Sequence, residues 1–146
     1  MIQICSVIKN TIKMETTNPG IKLSLLWIFI LTNVIFRDIH QMALKHHLEM
    51  LLTGTYNGIE VTEMVMLMGG IVLEIPIAMI VLSYVLKRKY NRIANCIAVV
   101  IAGLLFTVEP PTDMDDVFFK IVGYIGLAVI LITVIKWGPS HQSINE

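Results

Sequence analysis

Glu74 is the one charge inside the apolar run Met64–Leu86, which spans 23 residues. On insertion scales an acidic residue at the centre of a spanning helix is unfavourable by about 3 kcal/mol, so it is expected to face protein or water. Pro76, two residues on, removes a backbone donor and can bend the helix there. Two chemistries fit: a proton-titrating or cation-binding group at a helix kink, or a neutral acid hydrogen-bonded to a neighbouring helix. Depth, counted from the basic ends at about 1.5 Å per residue, narrows the choice of partners. Glu74 lies thirteen residues before Lys87, Asn33 eleven after Lys22, and Tyr124 twelve before Lys136. These three groups therefore share a layer about 17 to 20 Å from one end, with Arg37 at about 23 Å. Arg37 is the one cation near that depth, and Asp38 is adjacent to it. A Glu74–Arg37 or Glu74–Asn33 contact is the expectation. Asn95, close to the basic end, is too shallow to join and is expected to hydrogen-bond between helices.

His40, His46, His47 and Glu49 form a second polar group. Metal ligands on one helix face recur at three- or four-residue spacing. His46 and Glu49 fit that spacing, but His40 is six residues away and no cysteine joins. The expectation is a solvated amphipathic segment and no metal. There is no glycine-rich phosphate loop, no G-x-S-x-G elbow and no H-E-x-x-H, so neither a catalytic set nor a cofactor is expected. Basic residues do not interleave with aromatics on a soluble face, which argues against nucleic acid as a partner. Cys5 and Cys96 stand outside any C-x-x-C pair, and Cys96 reads as a structural thiol.

The elements that must position these residues are long and apolar. Of 146 residues, 55% are hydrophobic and 15% charged, where soluble domains carry about 25% charge. A spanning helix needs about 20 apolar residues. Met64–Leu86 and Val117–Ile135 meet that length. Ile21–Phe36 and Ile93–Val108 have cores of 16 residues and must recruit polar flanks; two spans plus two interfacial pieces is the alternative. The fold expected is all-α: a four-transmembrane-helix bundle, spans about 21–38, 64–86, 92–109 and 117–136, with a short amphipathic helix in the outer loop after the first span. Residues 1–20 form an N-terminal segment, with Met14 as an alternative start, and 138–146 a tail. With the N-terminus inside, eight of eleven basic residues fall on the inner side, four of them in Lys87-Arg88-Lys89-Tyr90-Asn91-Arg92; Arg37, Lys45 and Lys120 fall outside. Short loops rich in Lys and Arg stay cytoplasmic, so both termini are expected there. The basic patch reads as a topology signal, with anionic headgroup binding a lesser alternative. In lipid, helices associate through close approach and polar contacts. Gly70 and Ala78 around Glu74, the stripe Ala94, Ala98 and Ala102, and Gly123 with Gly126 are the candidate packing faces. The stretch after Arg37 has Leu44, Leu48, Leu51 and Leu52 on one face, suited to the outer membrane surface or to capping the bundle. Pro110 and Pro111 end the third span, and Thr112 or Asp113 can cap the fourth.

The chain resembles an uncharacterised bacterial family of small four-helix membrane proteins, a domain of unknown function. The likeness rests on Lys22-Leu23-Ser24-Leu25-Leu26-Trp27, Asp38, Met50–Gly54, Val61-Thr62, Glu74-Ile75-Pro76-Ile77-Ala78-Met79 and Asn91-Arg92. It covers roughly residues 20–137. Arg37 and the His-rich segment depart from the family pattern. The resemblance implies a helical bundle in a bacterial inner membrane and supplies no activity. Two functions remain open: transport or sensing of a small solute or proton through Glu74, or an accessory subunit that packs against other membrane proteins. A homo-oligomer is compatible with both.

Overall fold

The computed structural model describes residues 18–56, 58–108, 111 and 113–137. Residues 1–17 of the expected N-terminal segment, the choice of start, Cys5, Pro110, Thr112 and the tail lie outside these residues, whereas Pro19 and Gly20, placed in that segment, already belong to a helix.

Helix α1 (Pro19–Ala43) begins at Asn18, whose side chain accepts from the Gly20 N–H at 2.9 Å, with Pro19 at its first position. That placement suits proline, which has no N–H to leave unsatisfied in the first turn. A single residue, Leu44, separates α1 from the short α2 (Lys45–Leu52). Thr55–Tyr56 (β1) and Ile59–Glu60 (β2) pair antiparallel, a hairpin that the sequence reading did not anticipate. Gly54 and Gly58 bracket β1 at φ +73° and +79°, a conformation open to glycine at little cost. Helix α3 (Glu63–Val85) is capped by Thr62 Oγ1, which accepts from Val65 N–H at 3.3 Å. Helices α4 (Arg88–Val108) and α5 (Met114–Lys136) complete the chain.

The four long helices form an up-down-up-down ring in which α1 packs on α3 and α5, and α4 on α5 and α3. All four are long and apolar enough to cross a membrane. The two short cores are accommodated as expected: α1 reaches 25 residues and α4 21. Both run on through polar residues buried in the bundle, Arg37 and Gln41 in α1, Asn91 in α4.

The buried positions share one period. On α1 they are Gly20, Leu23, Trp27, Ile30, Arg37 and Gln41, and on α5 Asp116, Lys120, Gly123, Gly126, Leu127, Ile130 and Val134. On α4 they are Asn91, Asn95, Ala98 and Ala102, and on α3 Pro76, Met79 and Ser83. Spacings of three, four and seven predominate, the seam of a left-handed bundle. Residue type does not follow the seam, because its ends are polar and its middle apolar. Many large apolar side chains, among them Ile28, Phe36, Leu67, Val100 and Ile125, are exposed, as suits helices surrounded by hydrocarbon.

Candidate functional site

A polar network closes the end of the bundle where α1 begins. The last carbonyls of α3 have no intrahelical partner. Asn91 Nδ2 takes two of them, donating to Ser83 O at 2.6 Å and Leu86 O at 3.5 Å. One turn on, Asn95 Nδ2 donates to Asn91 Oδ1 at 2.6 Å and Asn91 O at 2.9 Å. Asn95 Oδ1 accepts the indole N–H of Trp27 at 2.7 Å and lies 3.4 Å from the Ser83 hydroxyl. Ser24 Oγ donates to Ile80 O at 2.7 Å. Trp27, Ser83, Asn91 and Asn95 are all fully buried, so the network ties α1, α3 and α4 together at one level. Interhelical hydrogen bonding by Asn95 is what its shallow depth suggests. The parts of Trp27, Ser83 and Asn91 were missed, although Ser83, Asn91 and Asn95 share the seam spacing.

The opposite end holds buried charge. Arg37 Nε lies 2.7 Å from Asp116 Oδ1, and Lys120 Nζ 3.8 Å from Asp116 Oδ2. Asp116 is 1% exposed and both cations 8%. Above them His47 is 2% exposed, with Nε2 3.5 Å from Asp113 Oδ2 and its ring stacked on Tyr56. Tyr56 donates to Gln41 Oε1 at 3.2 Å. Helix α2 is exposed along most of its length, Lys45 and Glu49 included, but is anchored by His47, which faces the bundle, while Leu44, Leu48, Leu51 and Leu52 are exposed. Through His47 the segment caps the bundle, one of its two expected placements. Asp113 occupies the N-cap of α5 without a side-chain capping bond. No group of three or more His, Cys, Asp or Glu among the described residues could hold a metal ion.

The mid-depth residues do not meet as expected. Arg37 pairs with Asp116, and Asn33 Nδ2 donates to Phe119 O at 2.9 Å. Tyr124, partly exposed, has its hydroxyl 3.5 Å from Gly103 O and its ring edge-on to Phe106. Asp38 is half-buried on α1. Glu74 joins none of them: it is exposed, and makes no hydrogen bond or ion pair among the described residues. The reason is rotational. Glu74 is two residues from both Val72 and Pro76 on the covered side of α3, and two residues turn a helix by about 200°. Register adds to this: Ser24 meets Ile80 across the antiparallel pair, so Glu74 falls level with Ile30, about two turns short of Arg37, and on the far side of its helix.

The packing residues divide in the same way. Gly123 and Gly126 are buried; an added Cβ would sit 2.6 Å from Phe106 Cε2 and from Ile30 Cδ1, respectively. Ala98 and Ala102 are buried and Ala94 is half-buried against the core. Gly70 and Ala78, beside Glu74, are exposed, and nothing lies within 4 Å of a Cβ placed on Gly70. Cys96 is a free, half-buried thiol.

An all-α ring of four long apolar helices, with polar networks at its ends, is the build of a small polytopic membrane protein. The chain belongs to a family of unknown function (DUF6326), matched over residues 13–142. No curated protein and no solved structure matches it.

Proposed function

We propose that this protein is a non-enzymatic membrane subunit that works by lateral association, with α3 as its docking helix. The carrying observation is Glu74, exposed at the middle of an apolar helix and directed away from the bundle. Ionisable residues inside membranes almost always face protein or a water-filled cavity. A carboxyl on the outer face of the bundle therefore calls for another protein against it. Gly70 and Ala78, one turn to either side, leave room for a close approach. Transport through Glu74 has less support, since the seam at that level is closed by Ile30 and Leu127 and the acid does not line it. The basic α3–α4 connection and the positive-inside rule favour an inner membrane with both termini cytoplasmic.

The test is a photo-crosslinking amino acid placed at position 70 or 78 of the full chain, in the membranes of its own cells. Protein adducts are expected at both positions. Adducts to lipid alone would overturn the reading.

A further inference from the structure

We infer, resting on the lateral-association reading, that the occupant of the α3 face is a second copy of this chain, docked about a two-fold axis along the membrane normal with Glu74 against Glu74. The bilayer holds all copies in one orientation, so two α3 faces can meet only in parallel. A two-fold interface places each residue near its own counterpart. At the level of Glu74 that brings carboxyl to carboxyl. In its neutral acid form a carboxyl carries one O–H donor and acceptor oxygens, so two of them satisfy each other reciprocally. No foreign group is needed.

The neighbouring residues fit this geometry. Gly70, Glu74 and Ala78 recur at four-residue spacing and are all exposed, and small residues at that spacing let spanning helices approach closely. Helix α3 is also the least covered of the four, with 11% of its most apolar stretch buried against 28–33% in the others. Every residue from Thr62 to Ile71 is exposed. A cation from a second copy cannot take the place of the second acid. Arg37 and Lys120, the cations furthest from the basic end, are both buried around Asp116, and the other lysines and arginines sit towards the ends of the helices.

The full chain, labelled with donor and acceptor dyes and reconstituted in lipid vesicles at graded protein-to-lipid ratios, tests this by energy transfer. Wild type is expected to dimerise. Glu74→Gln should retain the dimer, since a primary amide is also donor and acceptor. Glu74→Leu should weaken it about tenfold, the order of effect of one polar pair in lipid. Gly70→Ile should weaken it further while helix content and thermal unfolding stay unchanged, because nothing lies within 4 Å of a Cβ there. A monomer at every ratio, or a dimer indifferent to both Glu74→Leu and Gly70→Ile, overturns the inference. Adducts in cells only to a different protein also overturn it but leave lateral association standing, whereas lipid-only adducts end both.

Discussion

Asn95 sits where three helices meet, with Trp27 on one side and Ser83 and Asn91 on the other. Replacing it by Leu leaves the indole N–H and the Ser83 and Asn91 groups buried without that partner. Such a change is expected to destabilise by about 2 kcal/mol. Trp27→Phe should be milder, and a double-mutant cycle between the two positions should give a coupling of about 0.6 to 1.7 kcal/mol, the range for polar contacts between helices in lipid. Thermal unfolding in detergent reads all three variants. The Arg37–Asp116–Lys120 group behaves differently. Asp116→Asn removes the charge shared by two buried cations and should lower stability by about 3 kcal/mol. Arg37→Met, Asp116→Leu and Lys120→Met combined should recover most of that loss, since apolar side chains of similar size can replace buried ions. If the combined variant is no more stable than Asp116→Asn, the charges do more than balance one another. Depth along a helix was legible only coarsely: counting residues placed Arg37, Asn33 and Glu74 at nearby levels, whereas the Ser24–Ile80 contact sets Glu74 level with Ile30. Rotation about the helix axis was not legible. In water the apolar stripe reveals the buried face, but in lipid both faces are apolar and the seam here carries Arg37, Asn95 and Asp116 alongside Trp27 and Ile30.

The same difference separates glycines on different elements. Gly20 packs α1 onto the end of α3, and a Cβ there would lie 2.7 Å from the backbone oxygen of Ser83. A backbone oxygen cannot rotate aside as the Phe106 ring next to Gly123 can, so Gly20→Ala should destabilise the fold by about 1 to 3 kcal/mol. Gly70→Ala meets nothing and should leave unfolding in detergent unchanged or slightly improved by its better helix propensity. Measuring both in one preparation separates packing inside the bundle from the free face of α3. The α2 cap makes its own prediction. His47 is its one buried side chain, and it holds the segment against Asp113 and Tyr56. His47→Ala should leave the four long helices intact and raise amide hydrogen exchange across residues 44–60. Unchanged exchange there would mean that the outward leucines, seated in the membrane surface, hold the cap unaided. The leucine spacing in α2 was visible beforehand. The inward histidine was not, because its partners Tyr56 and Asp113 come from the hairpin and from α5.

Across the whole molecule, charge is sorted by end. The α3–α4 connection and the start of α4 hold Lys87, Arg88, Lys89 and Arg92, while Arg37 and Lys120 at the other end are buried around Asp116. The orienting force thus concentrates in the connection, where four positive charges lie within six residues. Arg88 also has a structural role, donating to Trp137 O at 2.9 Å, so a clean test leaves it in place. On the proposed orientation, changing Lys87, Lys89 and Arg92 to Gln reduces the inner count of basic residues from eight to five against three outside. The expected result is a mixed population in which part of the protein inserts inverted. A cysteine at Leu52, which is 80% exposed, reports the outcome in a background with Cys5 and Cys96 changed to Ser. An impermeant maleimide added to intact cells should label it fully in the parent chain and only in part in the triple variant. No labelling of the parent would mean that the α2 cap faces the cytoplasm. Full labelling of the variant would instead mean that orientation is set by packing of the finished bundle and not by its basic connection.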